Sequence, residues 1–435
     1  MRNPVSILAK FTAAVALLIG ATVARLPAQD RELRFFPSPS PSGSKTENLW
    51  NTDELSAAPA CHDVSTTGFF AHDGIIPVFY EGVPYQNRPT RVFAWVGIPN
   101  AQSGAKVPGI VLVHGGGGTA FRDWVKLWMD RGYAAIAMDT CGCIPVAEDG
   151  MAVKSKRHPD GGAPFAGGGF KQAGLPVQDQ WMYHAVAAVI RGHSLLRSMP
   201  GVDADRIGLT GISWGGIITE IVASVDNRFK FAAPVYGCGF LGENSFWLTT
   251  EFQKTDTESV ETWLRLWDPS QHLFRARLPM LFCNGTNDKH FRPDSWQKTY
   301  RLVSVPVTLS LKPRMGHGHP PSGDPREITV FADSIFKGTP PPPAVIAQGE
   351  SQGHSWIEYK NAVPLKGIHF LYTQDGGDWS LRTWRQESAT VSGNRGSFAI
   401  PAGATAWYFN LLDERGCIVS SEHHTPAQTY QTQIP

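Results

Sequence analysis

Charge is what this sequence has little of. Of its 435 residues, 39 are Lys or Arg and 38 are Asp or Glu, so charged residues make up 18% and the net charge is +1. Ordinary soluble domains carry about a quarter. No basic run or stripe stands out, which argues against a nucleic-acid partner. Cysteine is scarce as well. The six, Cys61, Cys141, Cys143, Cys238, Cys283 and Cys417, are far too sparse for a disulfide scaffold. In an exported chain an even number permits bridges, but Cys141 and Cys143 are too close for an easy mutual one. Cys283 lies in an apolar run and reads as a small buried hydrophobe; the connectivity stays open. Long apolar runs are also missing. The longest candidate, Phe11 to Ala24, is about fourteen residues, short of the roughly twenty that span a bilayer. It follows Arg2 and Lys10, and small residues at Thr22-Val23-Ala24 or near Ala28 suit a cleavage site. Residues 1–28 therefore read as a secretory signal. The expectation is a secreted or periplasmic protein with no stable membrane insertion after cleavage.

Glycine, by contrast, is abundant, and one glycine-bounded stretch organises the chain: Gly211-Ile212-Ser213-Trp214-Gly215-Gly216. With 44 glycines in the chain, a bare G-x-S-x-G is a weak signal. Its flanks strengthen it. Arg206 to Thr210 reads as a short buried strand, and Ile217, Ile218, Ile221, Val222 and Val225 recur at helical spacing. Strand, sharp turn and helix form a nucleophile elbow, which lifts a serine hydroxyl clear of the sheet. The helix that follows aims its N-terminal N–H groups at developing negative charge.

Two further stretches fit that reading. Gly109 to His114 is a continuous apolar run of the kind that forms a strand buried on both faces. It runs into Gly115-Gly116-Gly117-Gly118, whose uncovered backbone N–H groups suit an oxyanion hole. Gly115, Gly116 and Gly117 are the candidates. Leu278 to Asn284 is another buried strand and leads to Gly285-Thr286-Asn287-Asp288. An Asp just past such a strand suits the acid of a triad; Asp268 and Asp294 compete but follow no strand so directly. The strand Val305 to Leu311 then precedes Gly316-His317-Gly318-His319. Serine is a poor nucleophile unless an imidazole takes its proton, and a carboxylate must hold that imidazole. Ser213, Asp288 and His317 are the candidate set, with His319 as the competing base on the same loop. Chelation of a metal by His317 and His319 is the weaker alternative, because the pair lacks a further Asp-His extension. No metal or other cofactor is expected.

The remaining chain orders itself around this set. Residues 29–60 are rich in Pro and Ser and read as an exposed leader. Thr90 to Ile98 suits an antiparallel strand opening the sheet. Trp124 to Arg131 and Gln178 to Ser198 read as helices, Ala134 to Asp139 and Phe231 to Tyr236 as buried strands. Residues 141–176 are dense in Gly and Pro, a loop long enough to be functional or disordered. An insertion near 239–270 carries Trp247, Trp263 and Trp267, which either stack on a sugar ring or fill the core of a cap. His114, Trp247 and His319 are candidate substrate contacts. A helix around Glu327 to Phe336 closes a domain of 61–338. The proline run at 339–344 is a semi-rigid spacer. Beyond it, over 345–435, short alternating segments with Asp-Gly turns read as a small β-sandwich.

The stretch from about 90 to 338 resembles the serine-dependent α/β-hydrolases of the acetyl xylan esterase, dienelactone hydrolase and prolyl oligopeptidase group. The resemblance rests on the His114-Gly-Gly-Gly-Gly loop, the Ser213 elbow, Gly285-Thr-Asn-Asp288 and the His317 loop. It implies a mostly parallel sheet flanked by helices, with Ser213 as nucleophile, His317 as base, Asp288 as acid, and the N–H of Trp214 with one in the Gly115–Gly117 loop as the oxyanion hole. The chain departs from each relative. Dienelactone hydrolases use a cysteine where this chain has Ser213, prolyl oligopeptidases carry a β-propeller ahead of the domain, and single-domain acetyl esterases lack the C-terminal sandwich. The resemblance implies an esterase acting on small-molecule or polysaccharide esters, most readily acetyl groups. A prolyl oligopeptidase-type peptidase and a non-catalytic binding protein on a hydrolase scaffold are the competing readings.

Overall fold

Six parallel strands buried on both faces form the centre of the protein. The computed structural model describes residues 33–39, 49–100, 104–147, 154–318 and 323–426; the expected signal segment 1–28 and His319 lie outside them. From Phe35 onward the described residues form one compact unit. Its strands are β1 (Cys61–His62), β2 (Ile75–Glu81), β3 (Arg91–Gly97), β4 (Val107–Val113), β5 (Ala134–Met138), the small hairpin β6 (Cys143–Pro145) and β7 (Ser155–Arg157), β8 (Val202–Ile212), β9 (Ala232–Val235), β10 (Met280–Gly285) and β11 (Val307–Lys312). The main sheet has nine of these in the order β1-β2-β3-β5-β4-β8-β9-β10-β11. The β1, β2 and β3 strands pair antiparallel. From β5 to β11 every pairing is parallel. That is why β4, β5, β9 and β10 are near-continuous apolar runs: helices and loops cover both faces, so no alternation is needed.

The helices are α1 (Thr52–Ser56), α2 (Arg122–Met129), α3 (Trp181–Ser198), α4 (Trp214–Val225), α5 (Phe246–Thr250), α6 (Thr257–Trp267), α7 (Pro293–Tyr300) and α8 (Arg326–Phe336). Helices α2, α3 and α4 pack directly on the parallel strands. The loops after β4, β8, β10 and β11 all leave the carboxyl ends of parallel strands, where open α/β sheets place their ligands.

Two stretches differ from the expectation. The leader is not uniformly exposed: Phe36, Trp50 and Leu55 are buried in the main core. Trp50 stacks on Tyr183 at 5.9 Å and donates its indole N–H to the Tyr183 carbonyl at 3.0 Å. Apolar burial holds a segment whose composition reads as solvated. The Gly- and Pro-rich stretch after Cys141 is organised by one side chain. The Arg157 guanidinium donates to the carbonyls of Cys141 (3.0 Å), Gly142 (3.1 Å), Gly161 (2.7 Å) and Gly162. Five donors in a rigid fork suit a cluster of carbonyls. The six cysteines are all free thiols.

After the proline run come β12 (Ala344–Ser351), β13 (His354–Lys360), β14 (Leu365–Thr373), β15 (Arg385–Ser388), β16 (Thr390–Ser392), β17 (Arg395–Ala399), β18 (Ala406–Asp413) and β19 (Ile418–Ser420). They form two antiparallel sheets, β12-β13-β17-β16 and β15-β14-β18-β19. Along β14 the side chains alternate as strand geometry demands. Phe370 and Tyr372 join the sandwich core with Trp407 and Phe409, whereas Leu371 joins the main core. The β19 strand lies along β11: Leu311 N donates to Ser420 Oγ at 2.7 Å, and Asn410 Nδ2 to the Leu311 carbonyl at 3.3 Å. The C-terminal strands thereby cover the open edge of the main sheet, an edge that would otherwise invite pairing.

Candidate functional site

Ser213 sits between β8 and α4 with φ 57° and ψ −118°. An L-residue at such a dihedral pair is strained, and strain of this kind persists only where the surroundings over-determine it. The surroundings do so here through close backbone approach. A Cβ on Gly211 would stand 2.3 Å from the Gly215 carbonyl oxygen, and one on Gly215 would stand 2.1 Å from the Val113 carbonyl oxygen. Only glycine fits either position. The first ladder bond of α4 is Ile217 N to Ser213 O, 3.1 Å. The N–H groups of Trp214, Gly215 and Gly216 therefore have no partner within the helix.

His317 lies beside the serine. Its Nε2 is 2.9 Å from Ser213 Oγ, and its Nδ1 is 2.6 Å from Asp288 Oδ2. Asp288 is buried, and its other oxygen accepts from the backbone N–H groups of His290 (2.7 Å) and Phe291 (2.9 Å). Nδ1 faces the Asp288 carboxylate and Nε2 faces the serine hydroxyl, so Nε2 is the nitrogen placed to take the serine proton. The arrangement can withdraw a proton from Ser213 Oγ and stabilise the imidazolium that results.

The glycine loop lies against the serine. A Cβ on Gly115 would be 3.2 Å from Ser213 Cβ, and one on Gly116 would be 2.4 Å from Trp214 Cδ1. Gly117 has φ 73°, and Gly118 N donates to the Gly115 carbonyl at 3.1 Å. The loop is a tight turn beside the N-terminus of α4.

The other residues singled out from the sequence fall differently. His114 is 1% exposed. Thr140 N donates to its Nε2 at 2.9 Å, and its Nδ1 lies 2.7 Å from the Gly115 carbonyl. Burial lowers its pKa and keeps it neutral. With both nitrogens engaged it cannot contact a substrate; it anchors the glycine loop from behind. Trp247 is 6% exposed and packs on Trp214 at 4.8 Å and Phe291 at 5.0 Å. Trp263 and Trp267 are buried and donate to Gly168 O (3.0 Å) and Gln180 Oε1 (2.7 Å). They fill the interior of the insertion and offer no face to a sugar. Asp268 accepts from Phe240 N and Leu241 N, and Asp294 from Asn244 Nδ2. Neither competitor meets His317.

Two residues at the site escaped the sequence reading. Tyr236 follows β9 and stacks on His317, 4.4 Å between centroids. His290 lies 4.4 Å from His317 on centroids. Burial, and then the proximity of His317, push its pKa down to about 4. Each follows the C-terminal end of a strand, which was the one available signal. Asp288, His290 and His317 each offer a ligand atom, all within 4.8 Å of one another. A cation held there would compete with Ser213 for His317.

The family described as Acetyl xylan esterase (AXE1) matches residues 75–278, and the family described as PhoPQ-activated pathogenicity-related protein matches residues 204–370. Among solved structures, the acetyl xylan esterase from Paenibacillus sp. R4 is similar at 20% identity and TM-score 0.50, covering 68% of this chain and 97% of that one. Acetyl xylan esterase 1 from Thermoanaerobacterium sp. JW/SL YS485 is similar at 19% identity and TM-score 0.52, covering 69% of this chain and 95% of that one. The fold is that of the α/β-hydrolases, with additional antiparallel sheets at the C-terminus.

Proposed function

We propose that this protein is an exported carboxylic ester hydrolase that removes acetyl groups from small or carbohydrate-borne esters through an acyl-enzyme on Ser213. The observation that carries the reading is the unbroken chain from Ser213 Oγ to His317 (2.9 Å) to Asp288 (2.6 Å), set at the turn before α4. The choice of acetyl esters is supported by the match of residues 75–278 to the acetyl xylan esterase family. Export is supported by the sequence of residues 1–28, and no described helix is long and apolar enough to cross a membrane.

The chemistry follows from the positions. Ser213 Oγ attacks the ester carbonyl carbon as its proton passes to His317 Nε2. The carbonyl oxygen gains the charge and meets the N–H of Trp214 and those of the Gly115–Gly117 loop. Asp288 stabilises the imidazolium. The C–O bond then breaks and the alcohol leaves with the proton from Nε2. Water, deprotonated by His317, attacks the acyl-enzyme in turn and frees acetate and Ser213. Removing the serine hydroxyl removes the bond-forming atom.

The test compares the mature wild-type protein with Ser213→Ala on 4-nitrophenyl acetate, longer acyl homologues, acetylated xylan and a proline anilide. Acetate release from the polymer, lost in the variant by a factor of about 10³ or more, is the expected result. Cleavage of the anilide alone would move the protein to the peptidases. Turnover by the variant at the wild-type rate would overturn the assignment of Ser213.

A further inference from the structure

The C-terminal sheets reach the site through one loop, between β14 and β15. Asn287, the neighbour of Asp288, points its side-chain amide into that loop. Asn287 Nδ2 donates to the carbonyls of Arg382 (2.7 Å), Ser380 (3.2 Å) and Trp379 (3.3 Å). The orientation of the amide is set from the other side, where Thr286 Oγ1 donates to Asn287 Oδ1 at 2.7 Å. Thr286 Oγ1 also accepts from Arg314 N at 3.1 Å, on the loop that carries His317. A second tie lies beyond the acid: Arg292 pairs with Asp378. The loop is stiff at these points. The Arg382 guanidinium lies 3.8 Å over the ring of Trp379, and its Nη2 donates to the Gly377 carbonyl at 3.0 Å. Trp379 is itself buried in the main core.

Asp288 is therefore gripped from residues 287 and 292 by a segment some ninety positions later in the chain. Its own turn is short, and the bond it makes to His317 is intolerant of small shifts: a misplacement of about 1 Å at a reacting group can cost a hundredfold in rate. We propose that the C-terminal sheets are a positioning element for the reaction. The 375–384 loop, holding Asn287 and Arg292, keeps the Asp288 turn in register with His317, and Asn287 is the positioning residue through which it acts. This rests on the esterase reading given above.

The experiment uses the full mature chain with two variants that loosen the contact from opposite sides, Asn287→Ala and Arg382→Ala. Two readouts are taken: kcat and KM on 4-nitrophenyl acetate, and the downfield proton resonance of the His317 Nδ1–H···Asp288 bond. The expected result is a kcat lower by about tenfold to a hundredfold with KM little changed, and a resonance that moves upfield or broadens away. Variants that keep kcat and the resonance, and lose only thermal stability, would overturn the proposal and leave the loop as packing. Should Asn287→Ala fail to fold, Arg382→Ala decides alone. If the wild-type protein cleaves no ester, the esterase reading falls, and the resonance by itself still decides whether the loop orients Asp288.

Discussion

The phenol ring of Tyr236 lies against the imidazole of His317, 4.4 Å between centroids and 24° between planes, and its hydroxyl donates to the carbonyl of Gly316. One side chain thus fixes both the plane of the imidazole and the backbone just before it. Tyr236 itself has φ 69°, a conformation a non-glycine residue holds only under constraint from its surroundings.

Tyr236→Phe keeps the stacked ring and loses the hydroxyl bond. It is expected to lower kcat about tenfold with an unchanged KM. Tyr236→Ala removes both supports and is expected to cost more. Steady-state kinetics on 4-nitrophenyl acetate check this; a Phe variant as active as the wild type would leave the hydroxyl without a role.

Acid should destabilise the protein through buried neutral histidines. His423 is buried beside Trp379, and neither of its ring nitrogens has a partner. Burial, then the charges of Arg301, His424 and Arg382, push its pKa down to about 3. An unfolded chain takes up that proton near the ordinary histidine value of about 6.5. The stability contribution is full above that value and is lost as the pH falls from there toward 3. Each such group contributes a slope of about 1.4 kcal/mol per pH unit within the window. Replacing His423 by Phe should flatten the decline of the melting temperature between pH 6 and pH 4, as measured by calorimetry. Parallel curves for variant and wild type would refute it.

The opposite sign holds for Glu220. It lies on α4, two turns beyond the serine, and is fully buried. Neither carboxyl oxygen has a hydrogen-bond partner. Burial, and then the neighbouring Asp268, hold its pKa well above the usual carboxylate range. The folded protein keeps the proton while the unfolded chain ionises near pH 4.5, so the group's contribution is present below that pH and is lost as pH rises. Glu220→Gln should raise the melting temperature at pH 8 and leave it nearly unchanged at pH 4. An equal shift at both values would point to packing instead of ionisation.

Much of the site was legible because its signals are local. The glycines at 211 and 215 mark a turn where any side chain would strike the backbone, and the apolar runs at 110–113 and 280–283 mark strands with no wet face. Asp288 stood out from Asp268 and Asp294 because it alone follows such a strand directly. The residues that were misread or stayed open are those whose surroundings come from elsewhere in the chain. His114 looked available at a strand end, but Thr140 occupies its Nε2. Trp263 and Trp267 stood open between a sugar platform and the core of a cap, and the bonds of their indoles to Gly168 and Gln180 place them in the core.

The sequence by itself determined the strands, the elbow and the chain order of Ser213, Asp288 and His317, since each depends on steric and apolar patterns a few residues long. Only the tertiary structure decided what surrounds them. Tyr236 on His317, and the 379–382 carbonyls on Asn287, are contacts between segments about 80 to 95 positions apart. No periodicity in a chain records such a pairing, because its energy arises only once packing has brought the two surfaces together.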